Sequence, residues 1–401
     1  MNEKPTNVAA ASSGSSAVPF DAAKLDVVLD RAGIDALIVS SQHNIRYLLG
    51  GYRFFFFAHA DAIGVGRYVP LLIYQRGHVE RTCYIGIGTE KSERELGALW
   101  APQFVSAWYG PGAVAAAVDH LKSIGLERGR IGIETAFLGA DADRALRAGL
   151  PDATLIDALA PLERFRAVKT PKELDYLREA SDKVVDAMLA VIAGHGPGAS
   201  TADLTESLRR EEVLRGMEFD YCLIAAGTSH IRAPSEKLFW REGDVLSLDS
   251  GANYKGYIGD LARMGIHGEP DAELEDLLSE IDEIQLASRK PIRAGIPGRE
   301  IFAAAEAIVR RSRHANVLEF VAHGMGLVSH EAPRLTSQGP IPYPDDHASE
   351  PLESGMVLSI ETTHPHKRGF IKLEDTVVVT EDGWEAFGDR ARGWNRGDTT
   401  V

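Results

Sequence analysis

At 401 residues, 44% of them hydrophobic, the chain is long enough for two domains with ordinary buried cores. Its formal net charge of −15 argues against a nucleic-acid partner, because binding phosphate takes a basic patch or stripe and none is visible. The two cysteines, Cys83 and Cys222, stand far apart and outside any C-x-x-C spacing, so no disulfide framework is suggested and a reducing cytoplasm is the simplest setting. Residues 1–18, rich in Ala, Ser, Gly and Pro, read as a disordered tail without the basic start and apolar stretch of a signal peptide. No later apolar run approaches the length of a membrane span, so a soluble protein with no membrane partner is expected.

From 19 to 165 the pattern alternates helix and strand. Strands are predicted at 34–41, 69–74 and 130–134, with a helix at 113–124 before the last, which suggests an α/β layer domain. A second domain, 166–401, opens with a helix start: Thr170 as N-cap, Pro171 at the first helical position and Glu173 reaching back as a capping box. Leu174, Leu177, Val184, Met188 and Val191 then recur at helical spacing until Gly194 ends the run. Further helices are predicted at about 201–215, 271–289 and from Pro297 to Val309, with strands at 356–361 and 370–379. Two successive helix–helix–strand units suggest a pseudo-repeated, α+β domain.

The stretch D-S-G-A-N-Y-K-G-Y-I-G-D, 249–260, follows a strand-like V-L-S-L and reads as a hairpin with an aspartate at each end. If the turn is centred between Tyr254 and Lys255, Asp249 and Asp260 oppose each other with Cβ atoms about 4.5–5.5 Å apart. Two carboxylates that close repel unless one holds a proton or a cation lies between them; the alternative is an exposed hairpin whose acids face water. Further along, V-A-H-G-M-G-L-V-S-H-E-A-P places His323 and His330 among glycines, Glu361 closes an apolar strand, and Glu374 interrupts another beside Asp375. Charged residues inside strands of Val, Ile, Leu and Thr are costly to bury unpaired. Four carboxylates and an imidazole form an oxygen-rich set suited to a pair of divalent ions.

Taken in order, D-S-G-A-N-Y-K-G-Y-I-G-D, A-H-G-M-G-L-V-S-H-E-A-P, V-L-S-I-E and I-K-L-E-D-T-V resemble the creatinase/aminopeptidase P/methionine aminopeptidase family and its pita-bread fold. G-I-D-A-L-I-V-S-S-Q-H-N-I-R-Y-L-L-G-G, 33–51, is similar to the start of that family's creatinase-like N-terminal domain, and L-E-R-F-R-A-V-K-T-P-K-E-L to its lead-in to the catalytic domain. The resemblance implies a creatinase-like α/β domain followed by a pita-bread catalytic domain, and metal ligands Asp249, Asp260, His323, Glu361 and Glu374. Asp260 and Glu374 would bridge two ions, with Mn²⁺ expected and Fe²⁺, Co²⁺ or Zn²⁺ as alternatives. Such ions activate water and polarise a carbonyl. Glu361 would also accept the water's proton, and His330 would contact the substrate carbonyl or amide.

Substrate-side positions depart from the family pattern. Xaa-Pro peptidases carry a histidine just before a proline ahead of G-D-V-L; here A-G-T-S-H-I-R-A-P-S-E-K-L leaves either His230 or Arg232 for that slot. Glu319 stands where those peptidases have an extra histidine, and His364 and Lys372 replace positions that hold peptide. In G-Y-R-F-F-F-F-A-H the phenylalanines read as core, while Arg53 is a candidate clamp for a substrate carboxylate near a dimer interface, since the resemblance implies a homodimer.

These features lead to a metal-dependent hydrolase of an amide bond in a dipeptide or small carboxylate-bearing substrate, like Xaa-Pro aminopeptidases and dipeptidases. The alternative is a non-peptidase enzyme on the same fold, a creatinase-like C–N hydrolase or a lyase. Close identity with creatinases is opposed by the five intact ligands, as is a non-catalytic binding module.

Overall fold

A computed structural model of the chain describes residues 18–54, 69–337 and 344–397. The expected tail lies outside them except for Val18, and so do Phe55, Phe56 and Phe57 of the phenylalanine run. The chain divides into two compact units, Met1–Pro161 and Leu162–Val401. This division precedes the expected one at 165/166 because the end of the helix Leu159–Ala167 belongs with the second unit. There the buried Arg166 pairs with Glu331 at 2.8 Å.

The first unit is a six-stranded mixed sheet. Its strands are β1 (Ala36–Val39), β2 (Leu71–Gln75), β3 (His78–Gly86), β4 (Gln103–Ser106), β5 (Arg130–Ile133) and β6 (Thr154–Asp157), in the order β4-β3-β2-β1-β5-β6. Strands β1, β5 and β6 run parallel, as expected for an α/β layer, while β1 and β2 at the centre pair antiparallel. One face of apolar residues, including Ile38, Ile73 and Ile131, is buried with Val114, Ala117 and Leu121 of the helix Gly110–Ser123.

The second unit is built on an eight-stranded sheet. Its strands, with a small separate pair, are β7 (Ala199–Ser200), β8 (Glu218–Ala226), β9 (Phe239–Trp240), β10 (Val245–Tyr254), β11 (Tyr257–Ile266), β12 (Glu319–Gly324), β13 (Val357–His366), β14 (Gly369–Val379), β15 (Trp384–Phe387) and β16 (Asn395–Arg396). The order is β12-β13-β14-β11-β10-β8, with β15 added on β14 and β16 on β11; β7 pairs only with β9. The helix Pro171–Ala193 begins at the expected capping box: Thr170 N–H donates to Glu173 at 2.7 Å and Glu173 N–H to the Thr170 hydroxyl at 3.3 Å. Its buried stripe of Leu177, Val184, Met188 and Val191 covers one face of the sheet together with Leu204 and Leu208. A second pair of helices, Ala272–Arg289 and Arg299–Val309, buries Leu277, Ile281 and Ala305 against Ile371 and Leu373 of β14.

The β10–β11 hairpin corrects the expected register. Its turn residues are Lys255 and Gly256, with φ of 54° and 103°, so Tyr254 pairs with Tyr257. Positive φ at both central residues is the two-residue turn whose twist suits a hairpin, and the glycine makes it accessible. Asp249 therefore faces Ala262 and Asp260 faces Gly251. The two aspartates remain on one face, as diagonal rather than direct neighbours. The directly opposed acids are Glu361 and Glu374, across β13 and β14.

Candidate functional site

Strand alternation gathers the polar residues on one face. Asp249 and Asp260 come from β10 and β11, Lys372 and Glu374 from β14, Glu361 from β13 and His323 from β12. The pairings Leu223–Asp249 and Tyr221–Gly251 bring β8 side chains to the same face. Gly251 cannot be larger: a Cβ there would lie 2.4 Å from the Tyr221 ring. Together with Arg232, Ser329 and His330 these residues line a cavity of about 410 Å³. All five expected ligands are present in it.

Its electrostatics are short of positive charge. Asp249, Asp260 and Glu374 are each at most 3% exposed. The Lys372 ammonium lies 2.6 Å from Asp249, 2.6 Å from Glu361 and 2.8 Å from Glu374, and Arg232 also pairs with Asp249. Burial acts to lower the Lys372 pKa, but the charges of Glu374, Asp249 and Glu361 hold it well above the usual lysine range. Among the described residues Asp260 has no cation within ion-pair distance. Burial, then the charges of Glu374 and Asp249, push its carboxyl far above the normal range. Burial likewise raises Asp249 to about 6, with Lys372 opposing it.

Asp260, His323 and Glu374 offer ligand atoms within 4.8 Å of one another. His323 Nδ1 lies 3.2 Å from the Gly324 carbonyl, which can only accept, so this nitrogen carries the proton. The lone pair is thus left on Nε2, which is buried, has no hydrogen-bond partner among the described residues, and lies 3.8 Å from Glu361 and 3.9 Å from Glu374. Two carboxylates converging with one orphaned imidazole fit a divalent cation. The supporting contacts escaped sequence reasoning: Ser329 donates to Asp260 at 2.9 Å and Ser359 to Glu374 at 2.6 Å. Residue parity could have found Ser359, two positions before Glu361 on β13.

The substrate-side residues fall differently. His330 stacks on His323, ring centroids 3.8 Å apart, at the cavity wall. Arg232 lines the cavity, whereas His230 is exposed outside its lining, with Nε2 bonded to the His366 carbonyl at 2.7 Å. His364 is a correction. It lies an odd number of residues from Glu361, so it points to the opposite sheet face, toward Glu280. Lys372 is another: it is in the cavity but 3% exposed and committed to carboxylates, not a free cation awaiting substrate. Arg53 belongs to the N-terminal unit, where it donates to Gln42 at 3.4 Å.

Fold and site together define a metallohydrolase. Residues 175–381 match metallopeptidase family M24 and residues 22–168 match the creatinase/prolidase N-terminal domain. The chain belongs to metallopeptidase family M24. It is 25% identical over 367 residues to the uncharacterized peptidase YqhT of Bacillus subtilis, covering 90% of this chain and 95% of that one. It is 30% identical over 231 residues to the probable dipeptidase PepE of Mycobacterium tuberculosis, covering 55% and 58%. Among solved structures, the Xaa-Pro dipeptidase from Bacillus anthracis aligns with a TM-score of 0.78 at 23% identity, over 94% of this chain and 98% of that one. The expected architecture, an α/β creatinase-like domain before an α+β pita-bread domain, holds.

Proposed function

We propose that the chain hydrolyses an amide bond in a dipeptide, or in a comparably small substrate bearing a carboxylate, with divalent metal. The observation that carries this is the orphaned His323 Nε2 facing Asp260 and Glu374 inside a cavity lined by acids. Asp260 and Glu374 would be shared by two ions, with Asp249 serving one and His323 with Glu361 the other. Bound there, divalent ions supply Lewis-acid polarisation of the scissile carbonyl and a water acidic enough to attack near neutral pH.

The chain's own groups do the rest. Glu361, at the cavity wall, accepts the attacking water's proton. His330, held flat against His323, donates to the substrate carbonyl or amide. Arg232 presents a planar fork to the substrate carboxylate, and Arg53 is a second candidate for that part. The relatives named Xaa-Pro dipeptidase and probable dipeptidase support a two-residue substrate. We further infer Mn²⁺ for this oxygen-rich set, a homodimer, and a reducing cytoplasm in keeping with the free, buried Cys83 and Cys222.

Metal-loaded protein assayed against dipeptides, N-acyl and cyclic amino-acid derivatives, and Xaa-Pro peptides of increasing length should show turnover concentrated on the smallest substrates. Robust removal of the first residue from Xaa-Pro peptides of five or more residues would refute this view of the pocket. Full turnover by chelated, metal-free protein would favour a creatinase-like route instead.

A further inference from the structure

On the sheet face away from the cavity, side chains from three separate elements converge. Glu280 comes from the helix Ala272–Arg289, His314 from the turn after the helix Arg299–Val309, and His364 from β13. Their ligand atoms all lie within 4.8 Å of one another. His314 Nδ1 is 2.7 Å from one oxygen of Glu280, and His364 Nδ1 is 3.7 Å from the same oxygen. The other Glu280 oxygen accepts the Ser312 hydroxyl, which fixes the carboxylate. A third ring, His366, has its centroid 5.4 Å from that of His364.

His364 is the unexplained member. It is wholly buried, yet neither ring nitrogen has a hydrogen-bond partner among the described residues. A neutral imidazole always carries one N–H and one lone pair, and buried polar groups are almost always satisfied. Burial, then the neighbouring His314, push its pKa down to about 4, with Glu280 opposing, so a lone pair is available at neutral pH. His314 and Glu280 keep 18% and 21% of their side chains exposed, which gives an ion a way in.

We propose that Glu280, His314 and His364 form a second metal site, distinct from the cavity, with His366 or a water as fourth ligand. Imidazole nitrogen dominates this set, so it suits Zn²⁺, where the carboxylate-rich cavity suits harder ions. Its role is structural: an ion there ties the helix Ala272–Arg289 and the following turn to β13, the strand that carries Glu361.

The test uses full-length protein carrying Asp260→Asn and His323→Ala, which disable the cavity set. After equilibration with Zn²⁺ and gel filtration, elemental analysis should find one zinc per chain, and adding His314→Ala should remove it. His314 is chosen because truncating the fully buried His364 risks misfolding. In the wild-type background the same His314→Ala change should lower total zinc by one per chain. With Co²⁺ in place of zinc, the intense visible absorption of a tetrahedral ion should vanish with His314→Ala. Zinc content indifferent to His314→Ala in both backgrounds, or no zinc bound once the cavity set is disabled, would overturn the proposal.

Discussion

Glu374 and Asp375 are adjacent on β14 and buried on opposite faces of one sheet, yet their surroundings differ in kind. Asp375 is met by three guanidiniums: Arg263 at 2.8 Å, Arg289 at 2.6 Å, and Arg392. Despite burial, these cations hold its pKa below the usual range. The spare donors of Arg263 go to the carbonyls of Ala262, Glu374, Gly388 and Arg390. Across the sheet, Glu374 shares Lys372 with Asp249 and Glu361, Arg232 meets Asp249, and among the described residues no cation lies within ion-pair distance of Asp260. This fold can neutralise a buried acid completely. On the proposed reading, the shortfall on the cavity face is where external cations belong.

Substitutions on the two faces should therefore separate stability from activity. Asp260→Asn should reduce turnover at least about 100-fold, since even groups behind a metal ligand are worth 10–100-fold in affinity or activity. It should also lower bound metal while raising the Tm of the chelated protein, because a carboxylate under repulsion is removed. Asp375→Asn should do the reverse: destabilise by about 3–5 kcal/mol, as uncompensated buried arginines remain, and leave metal content per folded chain unchanged. Chelated thermal scans paired with metal analysis check both. Equal destabilisation by the two changes would abolish the distinction between the faces.

Lys372 is the cavity's internal cation, so its removal sharpens the comparison. Lys372→Met should destabilise the chelated protein and tighten metal binding by about tenfold or more, equivalent to roughly 1.4 kcal/mol or above. An ion bound beside Asp249 and Glu361 must otherwise compete with the ammonium 2.6 Å from each. Calorimetric titration of the two proteins with Mn²⁺ provides the check. Unchanged or weaker affinity would mean that the lysine supports the ligands rather than competing for them.

The loop before β10 separates a residue in the cavity from one outside it. Arg232→Ala should raise KM for anionic dipeptides by about tenfold with a smaller change in kcat, as expected for lost binding common to ground and transition states. His230→Ala should leave both within twofold of wild type. A kcat loss confined to His230→Ala would mean that the loop rearranges when substrate binds.

How much of this was legible in the sequence follows from motifs and periodicity. The candidate ligand set comes from the resemblance of its motifs to a known family, with acids at 361 and 374 in apolar strands as the sign that those carboxylates are buried. Strand parity puts His364 on the face opposite Glu361, so that expectation failed on information the sequence already held. The hairpin register turned on one residue: centring the turn on Lys255-Gly256 rather than Tyr254-Lys255 moves Asp249 from facing Asp260 to facing Ala262. The choice between His230 and Arg232 was not legible, because an aperiodic loop sets no side-chain direction. Nor was the Arg263–Arg289–Arg392 neutralisation of Asp375, whose members lie far apart in the chain.

A last expectation, on stability alone, concerns an acid behind the cavity floor. Ser250, next to Asp249 but pointing to the other face, donates to Glu212 at 2.8 Å; the second Glu212 oxygen has no partner among the described residues. Burial raises the Glu212 pKa from 4.5 to about 8, with the Ser250 hydrogen bond opposing and the charge of Asp220 adding to the rise. The folded chain then keeps a proton that the unfolded chain has lost. Between about pH 4.5 and 8 the folded state binds more protons, so this group's contribution to stability falls as pH rises, by up to about 1.4 kcal/mol per unit. Below that window both states are protonated and above it both are ionised, so the slope disappears. Glu212→Gln keeps an acceptor for Ser250 and removes the titration. Chelated wild type and variant should match at pH 5, and the variant should be more stable by about 1–3 kcal/mol at pH 8 in urea unfolding. Parallel pH profiles for the two proteins would show Glu212 to be ionised in the fold.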